Sequence, residues 1–308
     1  MTDAPSILSV GRALPPHHAD QETLMGVLRA QWSRKHHNAD RIDQLHRSVK
    51  VAGRHLVLPV EAYEKLGSFA QANAVWREAA PGLAQAALED ALSKAGVEAR
   101  ELDQLMFVSV TGISAPSVDA LLMNRMPLRR DLKRVPVFGL GCVAGAAGIA
   151  RVSDALRAFP DGLGALVSVE LCSLTWQRED VSIPNVIASG LFGDGAAAVL
   201  VGGARRPAKR HPRIVATRSV FYPDTERVMG WDIVDSGFKI VLQATVPNLV
   251  REHLRGDVDA FLEEHGLARK DIRRWVAHSG GPKVLEAFED AFEQPREAFR
   301  KTWESLET

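Results

Sequence analysis

Apolar positions along the chain fall into two alternating patterns. Short continuous runs bounded by glycine or polar clusters read as buried strands, and longer stretches with helical spacing read as amphipathic helices. Residues 6–14 form a first strand, closed by Pro15-Pro16. Residues 21–34 and 40–48 follow as amphipathic helices. Residues 70–95 form a long helix, interrupted at Pro81-Gly82 and stopped at Gly96 by a C-cap signal. Residues 103–112 are a buried strand running into a turn, and residues 121–126 lie in a helix. The strand Val135 to Phe138 leads through Gly139 and Gly141 to Cys142, and a small-residue helix follows, with Val152 and Leu156 at helical spacing. Its alanines and glycines predict a helix packed closely on all sides. A strand at residues 165–170, a loop over 171–180, and a turn leading into another strand over 191–201 come next.

The second part of the chain repeats the first. Leu92, Gly96, Asp103, a strand and Thr111-Gly112 have counterparts in Leu262, Gly266, Asp271, a strand at Arg274 to Ala277, and Ser279-Gly280. Helix, glycine cap, polar linker, strand and glycine turn recur in order, which argues for two duplicated α/β halves. The polar, proline-bearing stretch 204–212 separates them, giving a half at 1–203 and another at 213–308. After Gly280 only 28 residues remain, all helical in pattern, so the second half is expected to be incomplete.

Composition narrows the class. With 308 residues, 46% hydrophobic and 25% charged, the chain reads as an ordinary globular protein. Lys plus Arg equals Asp plus Glu at 38 each, which gives no pull toward nucleic acid or membrane. No apolar run reaches the length of a membrane span, and the first residues lack the pattern of a signal peptide. The two cysteines, Cys142 and Cys172, make no disulfide framework, and a reducing cytoplasm is expected. His17-His18 and His36-His37 have no carboxylate or cysteine at ligand spacing, so no metal site is expected.

Cys142 carries the candidate chemistry. At the first turn of a helix the unpaired N–H groups and the dipole favour an anion, so a thiol there is expected to have a lowered pKa and to act as a nucleophile. Two other readings compete: an inert core cysteine, and a dinucleotide loop in which Gly139, Gly141 and Gly145 follow a strand and Glu170 ends the next. His278 stands at a strand end beside a glycine turn, where α/β folds collect ligand chemistry, and an imidazole there could activate a thiol. Arg41, Arg47, Lys50 and Arg54 form a basic stretch, read either as a solvated face or as a clamp for a phosphate-bearing ligand.

These segments resemble the type III polyketide synthases, the chalcone and stilbene synthase-like branch of the thiolase superfamily. The marks are Gly139-Leu-Gly-Cys142-Val-Ala-Gly145, Leu191-Phe-Gly-Asp-Gly-Ala-Ala197, the stretch Gly237 to Pro247, and Trp275-Val-Ala-His278-Ser-Gly-Gly-Pro-Lys-Val-Leu285. The related ketoacyl synthase III enzymes follow their histidine with Gln-Ala-Asn, so the residues after His278 favour the polyketide branch. The resemblance implies a thiolase-like αβαβα sandwich, a homodimer, no bound cofactor, and acyl-CoA and malonyl-CoA as substrates. It implies that Cys142 holds the growing chain, and that His278 keeps it as thiolate and binds the malonyl thioester. It places Trp176 and Ile240 at gatekeeping positions and Ala115 at a cavity position contributed across the dimer. Arg47, Lys50, Gly280, Gly281 and Lys283 fall near the coenzyme A contacts. The expected product is an alkylpyrone, an alkylresorcinol or a related phenolic. The family's third catalytic residue, an asparagine in a turn beyond the segment matching Trp303 to Glu307, has no counterpart here. An impaired member serving as a remnant or partner subunit is therefore the alternative expectation.

Overall fold

The computed structural model describes residues 4–32, 39–206 and 211–307. His36-His37, the end of the first predicted helix and part of the predicted linker lie outside them. Among the described residues the strands are β1 (Ser6–Ala13), β2 (His17–Asp20), β3 (Gly53–Leu56), β4 (Gln104–Val108), β5 (Lys133–Val137), β6 (Leu163–Leu171), β7 (Asp194–Gly202), β8 (Met229–Val234) and β9 (Gly237–Leu242). The α-helices are α1 (Gln21–Trp32), α2 (Ala39–Ser48), α3 (Phe69–Ala95), α4 (Val118–Arg125), α5 (Ala144–Ala158), α6 (Ile183–Leu191), α7 (Val246–Glu263), α8 (Pro282–Phe292) and α9 (Arg300–Glu307). Two compact units interleave along the chain. One comprises residues 1–17, 55–175 and 193–219, and the other 18–54, 176–192 and 220–308.

The first unit is built on a mixed sheet in the order β1-β7-β6-β4-β5. β7 runs antiparallel to both β1 and β6, while β4 runs parallel to both β6 and β5. Central β6 is buried along nearly its whole length, which explains its continuous apolar run. β5 is the edge, largely exposed, and accommodates Pro136, whose missing N–H a central strand would need. The pairings Gly11↔Ala198, Ala198↔Val167 and Val167↔Phe107 put these residues on one face. α3 covers that face so closely that a Cβ on Gly11 would lie 2.1 Å from the Ala87 carbonyl oxygen. α5 covers the opposite face, where Gly148 abuts Leu166 and Gly164 abuts Val152. The result is a helix–sheet–helix sandwich with its core at Met106, Val108, Leu156, Leu166 and Val201.

Two expectations are corrected. α3 is continuous through Pro81, from an N-cap in which Ser68 Oγ accepts from Gln71 N to Gly96 in the left-handed region at φ 66°. An interior proline costs a helix about 3 kcal/mol. Here Pro81 is buried in the face that packs on the sheet, and that packing offsets the missing hydrogen bond. The small-residue helix α5 is buried on one face, at Ala144, Gly148, Ala150, Val152 and Leu156, while Gly145 and Ala146 face solvent.

In the second unit α1, α2 and α6 enclose Leu28, Trp32, Ile42 and Val186. α7, α8 and α9 surround Leu285, Phe292, Phe299 and Trp303. β8 and β9 form an antiparallel hairpin. Similar caps occur in the two segments read as copies. Val97 N donates to Leu92 O at 3.2 Å, and Leu267 N donates to Leu262 O at 2.9 Å. Gly96 and Gly266 adopt φ 66° and 69°. Glu101 and Asp271 then accept from Glu98 N and Ala268 N in matching short 3₁₀ turns. Beyond them the copies part. Gln104–Val108 is a central strand, but residues 272–280 join no sheet ladder, so the predicted strand at Arg274 to Ala277 is not formed. A strand exists by hydrogen bonding to a neighbour. Here Ala277 N finds the Thr302 hydroxyl at 3.2 Å, Gly280 N turns back to His278 O at 2.9 Å, and Val276 is 88% exposed.

Gly11→Ala tests the helix–sheet approach. The added methyl has no room against α3 backbone, so a loss of about 1–3 kcal/mol is expected, read as a lowered urea midpoint.

Candidate active site

Chemistry-bearing residues of the first unit gather where β4, β5 and β6 end. Val108 pairs with Val137 on one side and Ser168 on the other, so β4 and β5 finish together while β6 runs on to Leu171. Past β5 the chain turns through Gly139 (φ 99°) and Gly141 (φ 57°), angles that glycine adopts without a Cβ clash. A 3₁₀ turn at Gly141–Val143 then delivers an exposed Cys142 to the start of α5.

Glu170, the acid of the competing dinucleotide reading, stands at the end of β6. Its carboxyl accepts from Val110 N at 3.1 and 3.2 Å, from Thr111 Oγ1 at 2.7 Å and from Ser109 Oγ at 3.4 Å. Thr111 Oγ1 in turn accepts from Leu171 N at 2.9 Å, locking the ends of β4 and β6 together. Burial pushes the Glu170 carboxyl up to about 7, against the opposing pull of those hydrogen bonds. The charge reaches the thiols. Displacement of water by surrounding protein, and then Glu170, raise Cys142 above the ordinary thiol range. The expected lowering by the helix start is therefore corrected, since a nearby anion and desolvation outweigh the backbone amides. Cys172 is raised further, by burial, Glu170, Asp194 and Cys142.

Asp194, at the start of β7, pins the turn after β6. Its carboxylate accepts from Ser173 N at 2.8 Å, Ser173 Oγ at 2.6 Å and Val57 N at 2.8 Å. Tyr63 Oη meets Ser173 Oγ at 2.6 Å. Ala115 is exposed on the loop between β4 and α4, preceding a cis peptide bond to Pro116.

The second unit holds the other predicted residues. His278 lies in the extended stretch before α8, its imidazole pKa lowered by burial, and its carbonyl accepts from Gly280 N at 2.9 Å. Gly281 takes φ 114° and opens α8 with Pro282 in the first turn, followed by an exposed Lys283. Trp176 meets Trp32 edge-on, with ring centroids 6.2 Å apart. Ile240 is buried in β9. The adjoining Gln177 joins the segments that carry these two residues. Its Nε2 donates to Phe238 O at 3.3 Å, and its Oε1 accepts from Ser236 Oγ at 2.6 Å.

The basic stretch separates. Arg54 is buried and donates to Gln21 Oε1 and to the carbonyls of Ser189, Gly190 and Phe192, so it caps the C-terminus of α6 rather than facing a ligand. Arg47 is exposed beside Glu22, with its Nε 3.4 Å from Oε1. Lys50 has φ 58° and carries its ammonium 5.2 Å from the centroid of the Trp303 ring. Among the described residues no cluster of His, Cys, Asp and Glu could hold a metal ion.

Because Glu170 is protonated more readily in the folded state, its contribution to stability is present below about pH 4.5 and is lost as pH rises through about 7. Glu170→Gln lacks that loss. Between those limits the stability of the natural protein relative to the variant is expected to fall by about 3 kcal/mol, measured by urea unfolding at a series of pH values.

Residues 2–205 match the profile of the chalcone and stilbene synthases, N-terminal domain. The chain is 48% identical over 303 residues to the 1,3,6,8-tetrahydroxynaphthalene synthase of Streptomyces peucetius subsp. caesius, covering 98% of this chain and 80% of that protein. It is 37% identical over 292 residues to a putative chalcone synthase of Bacillus subtilis (strain 168), covering 92% and 80%. Among solved structures it superposes on 1,3,6,8-tetrahydroxynaphthalene synthase from Streptomyces coelicolor A3(2), a bacterial type III polyketide synthase. The TM-score is 0.89 at 29% identity, covering 98% of this chain and 85% of that one. The α/β arrangement is thus thiolase-like, and the glycine turn at Cys142 is not a dinucleotide loop.

Proposed function

The chain belongs to the chalcone and stilbene synthase family of polyketide-condensing transferases, and from that premise we propose that it joins an acyl-CoA starter to malonyl-CoA by decarboxylative Claisen condensation. The observation that carries this reading is the placement of Cys142, exposed on a left-handed glycine turn at the end of the sheet. Its sulfur attacks the starter thioester carbonyl, and coenzyme A leaves as the thiol. Loss of CO₂ from malonyl-CoA leaves an enolate, which attacks the Cys142-bound acyl group. A carbon–carbon bond forms, the acyl–sulfur bond breaks, and Cys142 is regenerated.

His278 is assigned the imidazole role, sustaining the thiolate and donating to the malonyl thioester oxygen. Trp176 and Ile240 are assigned to the passage of the acyl chain, which their joined and partly buried elements support. Arg47, Lys50, Lys283 and the Gly280-Gly281 backbone are assigned to coenzyme A. The tetrahydroxynaphthalene synthases among the relatives support a phenolic product. No cofactor enters this scheme. Among the described residues no helix is long and apolar enough to cross a membrane, and both cysteines are free thiols, which suits the proposed cytoplasmic setting.

A homodimer is part of the proposal. Edge strand β5 and the turn after it present Val135, Phe138, Leu140 and Val143, between 37% and 56% exposed. An apolar unpaired edge is suited to pairing with a second copy. Ala115 is assigned to a loop that reaches the partner copy.

Incubation with a fatty acyl-CoA, followed by intact-mass measurement, is expected to show an acyl adduct that Cys142→Ala abolishes. An unmodified, folded wild-type protein would overturn the reading. Light scattering is expected to give twice the 33.6 kDa chain mass, and Val135→Asp with Phe138→Asp to give the single chain.

A further inference from the structure

Trp176 and Ile240 stand on separate segments, a loop before α6 and the hairpin β8–β9, and the side chain of Gln177 bridges the two. Gln177 is buried. Its Oε1 accepts from Ser236 Oγ at 2.6 Å, and its Nε2 donates to Phe238 O at 3.3 Å and, more weakly, to Ser236 O at 3.5 Å. The amide sits only one way round, because both carbonyls need a donor. Its own backbone is held in turn. Gln177 O accepts from Asn185 Nδ2 at 2.8 Å, and the same Nδ2 donates to Asp180 O at 2.6 Å. Asn185 is buried in α6. One amide thus ties the loop to a helix, and another ties the hairpin to the loop.

The hairpin needs such a tether. A two-residue turn, Asp235-Ser236, joins β8 to β9, and Gly237 takes φ 123° just beyond it. Among the described residues this pair hydrogen-bonds to no other strand, and an isolated two-stranded ribbon is marginally stable in water. Gln177 grips it at the turn and at the start of β9. Phe238 and Ile240 alternate onto one face and are both buried. Lys239, between them, is exposed, with its Nζ 3.5 Å from Asp180 Oδ2 on the same loop. The Phe238 ring stands 6.3 Å from that of Trp231, which lies 6.5 Å from that of Phe192, so the tethered face is aromatic. On the loop, Trp176 Nε1 is buried without an acceptor. No polar contact of its own fixes that ring, so its place follows from the Trp32 edge and from the loop that Gln177 holds.

We propose that Gln177 is a positioning residue for starter selection: by fixing the β8–β9 hairpin against the Trp176 loop, it sets the length of acyl chain that the passage admits. This rests on the assignment of Trp176 and Ile240 to that passage. An apolar wall discriminates chain lengths through close packing, and such packing selects only while the wall is held in place. Without the Gln177 amide the hairpin keeps its own ladder but loses its anchor at the turn and at Phe238 O, and the wall yields to longer chains.

The test is a competition between hexanoyl-CoA and palmitoyl-CoA at equal concentration, read at early times as the ratio of the two acyl adducts on Cys142 by intact mass. Both adducts form in one tube on the same folded molecules, so a loss of folded protein lowers both and leaves the ratio unmoved. Gln177→Leu keeps the bulk of the side chain and removes its hydrogen bonds, and it is expected to raise the palmitoyl-to-hexanoyl ratio by about tenfold. Ser236→Ala removes the contact to Oε1 alone and is expected to move the ratio the same way by less, serving also if Gln177→Leu does not fold. Gly11→Ala, destabilised in the first unit, is expected to keep the natural ratio. An unmoved ratio in the folded Gln177 and Ser236 variants, or an equal shift in Gly11→Ala, overturns the proposal and leaves the condensing reaction standing. A natural protein that takes up neither acyl group overturns the reading of the function, and this proposal with it.

Discussion

The hydrogen bonding of one carboxyl group governs this site. Glu170 is drawn into a region where a carboxylate is costly, and Val110 N and Thr111 Oγ1 hold it there. Those same contacts tie the end of β6 to the end of β4, and β4 carries β5 in parallel register beside it. The turn bearing Cys142 is therefore set against a sheet whose three strand ends are joined. Replacing Glu170 with an apolar residue would spare the desolvation cost but remove the acceptor that the Val110 amide and the Thr111 and Ser109 hydroxyl protons use.

Small residues let the rest of the sandwich close on that sheet. Gly11 allows α3 onto one face, and Gly148 and Gly164 allow α5 onto the other. α5 starts at Ala144, directly after the turn that carries Cys142, so its approach to β6 also sets where that turn lies. The Asp194–Ser173–Tyr63 contacts do similar work one turn further on, holding the segment that leads from β6 toward Trp176. In the second unit, Arg54 spends its guanidinium on the carbonyls that end α6. A charged side chain in a basic stretch thus became a helix cap.

Features set by a single residue's conformational freedom were legible in the sequence. Gly96 and Gly266 end their helices as left-handed caps, and Gly139 and Gly141 turn the chain into Cys142. Features set by neighbours were not. Pro81 is tolerated because the face of α3 that carries it is buried, and nothing in the local pattern records that face. Arg274 to Ala277 has the composition of a strand, but a ladder needs a partner. The thiol's environment was misjudged for the same reason. The helix start is local, whereas Glu170 approaches from a strand that is distant in sequence. The segments around Cys142 and His278 carry the resemblance to the polyketide synthases, and the family match over residues 2–205 agrees with it for the part of the chain that holds Cys142.

Carbon-13 NMR of the glutamate side-chain carboxyls measures the central group directly. One resonance, absent in Glu170→Gln, is expected to titrate with a midpoint near 7, as burial of the carboxyl requires. A Glu170 resonance titrating in the ordinary carboxylate range would contradict that.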